Sequence, residues 1–267
     1  MLNKKLFPAV LLSASLLVSF NNFVPAEGTE KNAAIEFTRS TEIDYIVDPE
    51  KPENEVNPGE SPSTSGRLRI DFVPQLNFSS NVISDKEVSY PVNAQLFLDG
   101  QTSPRGNFIQ LSDYRTTATA QGWKLQVRQE NQFSNSTTTN SSLNGAVLSF
   151  DKSWISTPNS TTDAPVVSSE IIRLSNIGDT YDLATAETGS GAGTWSISFG
   201  ASEGHSEGQS STLSPKTDAN NEPVLDSAFN SQQVYENSAI KLTVPGGTQI
   251  DPVPYSTVIT WILAELP

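Results

Sequence analysis

The sequence contains no cysteine and only one histidine, His205. The first absence removes thiol nucleophiles, disulfides, cysteine-ligated zinc and iron–sulfur clusters. A chain of 267 residues is long enough to bury a core without such staples. With one histidine, a zinc site would need several carboxylates. No D-x-D-x-D-G loop of EF-hand type occurs, although an irregular calcium site built from loop carboxylates stays open. Basic residues are also scarce, 16 against 30 acidic ones, for a net charge of -14. Nucleic-acid binding requires a basic face that displaces counterions, so it is excluded as a function. An anionic membrane surface is disfavoured for the same reason. An anionic wall polymer would have to be held through local contacts or bridging cations. Helical spacing is missing as well. Beyond the first 26 residues no run repeats its apolar positions every three to four residues.

What is present begins with an export signal. Lys4 and Lys5 precede an apolar run, Leu6 to Phe20, and then Val24-Pro25-Ala26. Basic, apolar and small in that order is the pattern of a secretory signal peptide, here residues 1–26. The run is shorter than the ~20 residues needed to span a bilayer. No later stretch is apolar enough to insert in a membrane. The end, Trp261-Ile-Leu-Ala-Glu-Leu-Pro267, carries no sorting signal. Export without a covalent or lipid anchor leaves two outcomes: the protein diffuses away, or a binding domain holds it.

Residues 27–66 read as a short N-terminal segment followed by a linker. The segment includes one alternating piece, Ile35-Glu-Phe37. From Asp44 to Gly66, Pro49, Pro52, Pro58 and Pro62 interleave with Asp44, Asp48, Glu50, Glu53, Glu55 and Glu60. Prolines withhold donors and like charges repel, so this stretch is expected to be an extended, disordered spacer.

Residues 67–267 read as one domain of short strands. Leu68, Ile70 and Phe72 alternate with charged residues, and Trp123, Leu125 and Val127 alternate with Lys124, Gln126 and Arg128. Trp195, Ile197 and Phe199 alternate with serines, and Ile240, Leu242 and Val244 with Lys241 and Thr243. Period 2 places one apolar face toward a core. Weaker strands are expected near 93–98, 145–150, 170–174 and 257–263. Glycine, proline, asparagine and serine punctuate the gaps. The fold class that follows is all-β: an antiparallel two-sheet sandwich, immunoglobulin-like or related. Two stretches stand out as polar loops, Ser134 to Ser142 and Gly200 to Asn221.

Catalytic constellations do not form. Gly200-Ala-Ser202-Glu-Gly204 and Gly204-His-Ser206-Glu-Gly208 both fit G-x-S-x-G. A nucleophile elbow needs a strand-to-helix turn in a parallel sheet and a histidine far downstream. Here His205 lies between the two serines and no helix is indicated. Acidic pairs of glycosidase type can be drawn anywhere among 30 acids and carry no information. The expectation is a protein that is not an enzyme and takes no cofactor.

Four tryptophans occur, Trp123, Trp154, Trp195 and Trp261, and two have leucine two residues on: Trp123-Lys-Leu125 and Trp261-Ile-Leu263. On a strand these pairs share a face. Around them run further blocks: G-R-L-R-I-D-F-V-P-Q-L-N-F (66–78), S-D-Y-R (112–115), G-W-K-L-Q-V-R-Q (122–129), G-A-V-L-S-F (145–150), G-A-G-T-W-S-I-S-F-G (191–200) and Y-S-T-V-I-T-W-I-L-A-E-L-P (255–267). With these blocks in this order, residues 67–267 resemble the WxL-domain surface proteins of low-GC Gram-positive bacteria. One departure is Ile259 and Ile262, where the family often has leucine and threonine. The resemblance implies a secreted, cell-wall-associated protein held non-covalently to peptidoglycan through its C-terminal domain. It also implies other surface proteins or membrane-anchored envelope proteins as partners. Docking on such a partner, with or without adhesive activity, is the alternative reading. The signature positions are then Trp123, Leu125, Trp261 and Leu263. The tryptophans are expected to be largely buried, supporting a nearby binding surface.

Overall fold

The structure is a computed structural model. It describes residues 42–116, 121–160, 162–205 and 208–267. These belong to one compact unit, Ile43–Pro267, apart from Glu42. The signal peptide, the Ile35-Glu-Phe37 piece and Ser206 lie outside the described residues.

The protein is all-β, as its period-2 runs require. Two four-stranded antiparallel sheets and a third, five-stranded one line the main core. The first has the order β17 (Ile259–Glu265), β6 (Trp123–Gln129), β11 (Thr180–Ala186) and β9 (Val166–Val167). The second has the order β3 (Leu68–Phe72), β5 (Asn107–Asp113), β12 (Gly193–Phe199) and β8 (Ser153–Ser160). A third sheet runs β10 (Ile172–Leu174), β7 (Val147–Phe150), β16 (Tyr235–Val244) and β13 (Leu213–Pro215), with β4 (Val88–Asn93) also paired to β16. Two small hairpins complete the set, β1 (Val47–Asp48) with β2 (Lys51–Glu55) and β14 (Leu225–Asp226) with β15 (Gln232–Gln233). Every pairing of these strands is antiparallel. The one helical element among the described residues is a 3-10 turn at Ser227–Phe229.

The core is built from the inward positions of these sheets. Trp123, Leu125 and Val127 on β6 meet Ile109 and Leu111 on β5, Trp195, Ile197 and Phe199 on β12, and Leu148 and Phe150 on β7. Strands expected at 68–72, 123–128, 195–199 and 240–244 are all present. The strand expected near 93–98 lies earlier, at Val88–Asn93, and Ala94–Leu98 has only a bridge, Gln95 to Arg105.

The acidic Pro-rich stretch does not fold as expected. Instead of a disordered spacer, residues 47–55 form the β1–β2 hairpin, and Val47, Asp48 and Val56 are buried. The hairpin segment reaches the outward face of β5. Val47 N–H donates to Gln110 Oε1 (2.9 Å), and Gln110 Nε2 donates to the Tyr45 carbonyl (2.9 Å). Ile46 and Val56 close a small cluster with Phe72, Phe97 and Phe108. The expected repulsion is cancelled by Arg105, which grips Asp48 through Nε (2.8 Å) and Nη2 (2.7 Å) and lies 3.4 Å from Glu50. Pro52 sits within β2, whose only strand partner among the described residues is β1, so its missing donor breaks no ladder seen on the far edge. This compact unit therefore begins at Ile43, upstream of residue 67.

Candidate functional site

The two W-x-L motifs lie on adjacent strands. In the β6–β17 ladder Leu125 stands opposite Leu263, Val127 opposite Trp261 and Trp123 opposite Glu265. All four signature side chains are thus on one face, with the leucines paired and the tryptophans at opposite ends. Their exposures differ. Trp123 and Leu125 are fully buried, whereas Trp261 and Leu263 are half-buried at the edge of the sheet. Trp123 Nε1 donates to the Gly191 carbonyl (3.1 Å). Gly191 has φ +71°, and a Cβ there would lie 2.8 Å from Trp123 Nε1 and 2.5 Å from the Ala186 Cβ. Trp261 meets Phe150 edge-on, ring centroids 6.0 Å apart. The expectation of largely buried tryptophans fits Trp123 better than Trp261, because among the described residues β17 has a neighbour on one side only.

Trp261 lines a cleft of about 1400 Å³. Its apolar wall includes Ile70, Phe78, Tyr90, Phe133 and Ile259. The charged residues that line it among those described are Glu60 and Asp251, both acidic. Val82 and Ile83, also in the lining, are 87% and 47% exposed.

Beside the cleft is a second, smaller hollow of about 570 Å³. Its lining has no charged side chain: Thr139, Asn140, Ser142 and Asn144 face Thr248 and Gln249. Asp251 braces this loop end. Its carboxylate accepts from the Thr138 hydroxyl, the Asn140 backbone N–H (2.9 Å) and Asn140 Nδ2 (2.8 Å). Tyr255 ties the same loop, its hydroxyl donating to the Asn140 carbonyl (2.7 Å) and accepting from Asp251 N–H (3.0 Å). The Thr138 hydroxyl, then the Asn140 backbone and side-chain amides, hold the Asp251 carboxyl below its ordinary range. This hollow joins residues more than 100 apart in the chain. The sequence marks its two sides only as the polar run Ser134 to Ser142 and the turn at Gly246-Gly247.

The first of the two serine motifs is placed for structure, and Ser206 of the second lies outside the described residues. Ser202 N–H donates to Glu50 Oε1 (2.7 Å), and its hydroxyl donates to the same carboxylate. His205 is buried against the Trp154 ring, centroids 4.4 Å apart. No group of three or more metal-ligating side chains occurs among the described residues. No helix among the described residues is long and apolar enough to cross a membrane.

A search among curated proteins and one among solved structures each gave no significant match. A family model does match, and it reaches well upstream of Gly66 to include the β1–β2 hairpin. That family is one of wall-binding surface domains rather than of enzymes. With two paired W-x-L strands inside an all-β unit and a match over residues 25–267, the chain belongs to the WxL domain surface cell wall-binding family.

Proposed function

We propose that this protein is exported by residues 1–26 and attaches non-covalently, without catalysis, to peptidoglycan. The wall contact is placed at the loop end carrying the uncharged hollow. The observation that supports this is its lining of hydroxyl and amide groups on a braced loop. Sugar hydroxyl and N-acetyl groups are neutral donors and acceptors, and such a lining matches them without calling on a cation the site lacks. In this reading Trp123 and Leu125 hold β6 in the core, and Trp261 and Leu263 hold the edge strand next to the site.

The full chain is expected to co-sediment with detergent-stripped peptidoglycan. Asn140→Ala combined with Asn144→Ala should weaken retention about tenfold, the effect of losing one or two hydrogen bonds to ligand. Retention no greater than that of an unrelated acidic protein would refute the reading. So would a double variant that binds as well as the parent.

The brace also sets an acid limit. A carboxyl whose folded pKa is depressed contributes its stabilisation above its unfolded value, ~3.9 for aspartate, and loses it as pH falls through the folded value. Retention is therefore expected to hold from neutral pH down to about 4 and to fall only below that. Asp251→Asn should remove this acid step, since amide and carboxylate differ in titration while sharing their shape. A loss of retention centred between pH 5 and 7 would show that another group controls the site.

A further inference from the structure

Among the described residues β17 is the last strand of its sheet, and nothing there pairs with its outer edge. The phase of the ladder tells which backbone groups are involved. Glu130 N–H donates to the Val258 carbonyl (2.9 Å), and Leu266 N–H to the Gly122 carbonyl (3.3 Å). Antiparallel pairs alternate between bonded and non-bonded, so Thr260, Ile262 and Ala264 also turn their backbone groups to β6. Ile259, Trp261, Leu263 and Glu265 turn theirs outward, and among the described residues nothing pairs with them. Seven residues of strand give an edge about 20 Å long. An exposed edge of this kind is normally short, charged or covered. Here Ile259, Trp261, Ile262 and Leu263 make it apolar.

The cleft lies along this same strand, and its lining includes Ile259, Thr260 and Trp261. A row of unsatisfied backbone groups beside an apolar trough is the arrangement that strand addition uses. Main-chain bonds supply affinity, and alternate side chains enter the trough. We propose that the outer edge of β17 takes up an extended segment of a second, different protein as an added strand. The segment carries apolar residues at alternate positions and basic residues at its flanks.

Two observations favour this occupant. The charged residues lining the cleft, Glu60 and Asp251, are acidic, as is the chain as a whole at -14, so a basic flank is attracted and a second copy is repelled. The cleft is also lined by loop residues of 60–64, 73–83 and 250–257, whose Val73, Leu76, Phe78 and Val253 offer apolar surface to the alternate side chains of such a segment. The exposed Val82 and Ile83 supply apolar surface for the partner. Asp251 borders both this cleft and the loop of the hollow assigned to wall contact, but the edge of β17 lies outside that hollow, so either assignment can fail without the other.

Hydrogen exchange on the full chain tests it, with and without an eight-residue probe peptide of alternating valine and threonine flanked by lysines. In the free protein the N–H groups of Ile259, Trp261 and Leu263 should exchange fast, while those of Thr260, Ile262 and Ala264 are protected. The probe should slow exchange at the first three at least tenfold. Leu263→Pro removes one outward donor without touching the β6 ladder. It should weaken probe binding about tenfold relative to Leu263→Ala, which truncates the same side chain but keeps the N–H. Three results would overturn the proposal. One is protection of the outward groups in the free chain at low concentration, which means the chain covers its own edge. Another is protection that grows with protein concentration alone, which means a second copy is the occupant. The third is unchanged exchange at saturating probe. The exchange pattern stands as a test even if the proline variant does not fold.

Discussion

Trp123→Ala is expected to destabilise the protein by ~3–5 kcal/mol, the usual cost of deleting a fully buried tryptophan. Trp123 is 0% exposed and sits among Leu125, Leu111, Ala186 and Trp195 in the main core. Its loss leaves a void that β6 cannot close, because β6 is fixed on both sides by β11 and β17. It also leaves the Gly191 carbonyl without the indole donor. For a unit of this size a kcal/mol moves the melting temperature by roughly 2–4 °C, so a fall of about 10 °C is expected. Trp261→Ala should cost about half as much, since the edge position already leaves part of the ring in water. Paired thermal melts of the two variants check the order. Wall retention measured well below both melting points should be nearly unchanged in each. If Trp123→Ala melts like the parent, the motif is not a core element. If Trp261→Ala keeps its melting temperature and loses the wall, that ring is a contact and the loop-end site is misplaced.

This contrast shows what could be read from the chain. Period 2 around Trp123 and Trp195 places β6 and β12, whereas β17, where Ile259, Trp261, Ile262 and Leu263 blur the alternation, reads only as a weaker strand near 257–263. It could not show that the two W-x-L strands are neighbours, since adjacency is a matter of topology and not of spacing. β5 was hidden for a different reason. Every residue from Asn107 to Asp113 is buried, so Phe108 and Ile109 are both covered and no alternation survives. The cover on the outward face is the hairpin segment that reads as a solvated spacer. Its apolar content, Ile46, Val47 and Val56, is too sparse for a strand pattern, and the cation that neutralises its acids lies 57 residues away. Composition records the repulsion among Asp48, Glu50 and Glu53 but not the arrival of Arg105. The loop-end hollow was equally illegible, because Asp251 meets Asn140 only once both loops are in place.

Arg105→Met is expected to release the N-terminal hairpin. The side chains of Arg105, Asp48 and Glu50 are 7%, 2% and 5% exposed. Removing the cation strands two carboxylates out of water, which costs ~3–5 kcal/mol for a broken buried pair. The molecule can avoid that cost by lifting β1–β2 off the sheet, because the ties that remain there are few: the neutral bonds of Gln110 to Tyr45 and Val47, the bonds of Ser202 to Glu50, and the small cluster around Val56. Exchange should therefore accelerate at the N–H groups of Val47 and Val56, the latter bonded to the Ile46 carbonyl at 2.9 Å. It should stay slow at Ile109 and Leu111 in the core beneath. Asp48→Leu in the same chain removes the stranded acid and fills its place with apolar volume. Glu50 stays anchored by Ser202. The double variant should then recover a large share of the loss, with a coupling of ~1–3 kcal/mol between the two positions. Additive losses would mean that Arg105 acts through packing alone. Unchanged exchange at Val47 in the single variant would mean that the apolar contacts of Ile46 and Val56 suffice, and that the ion pair fixes the hairpin's register without holding it down.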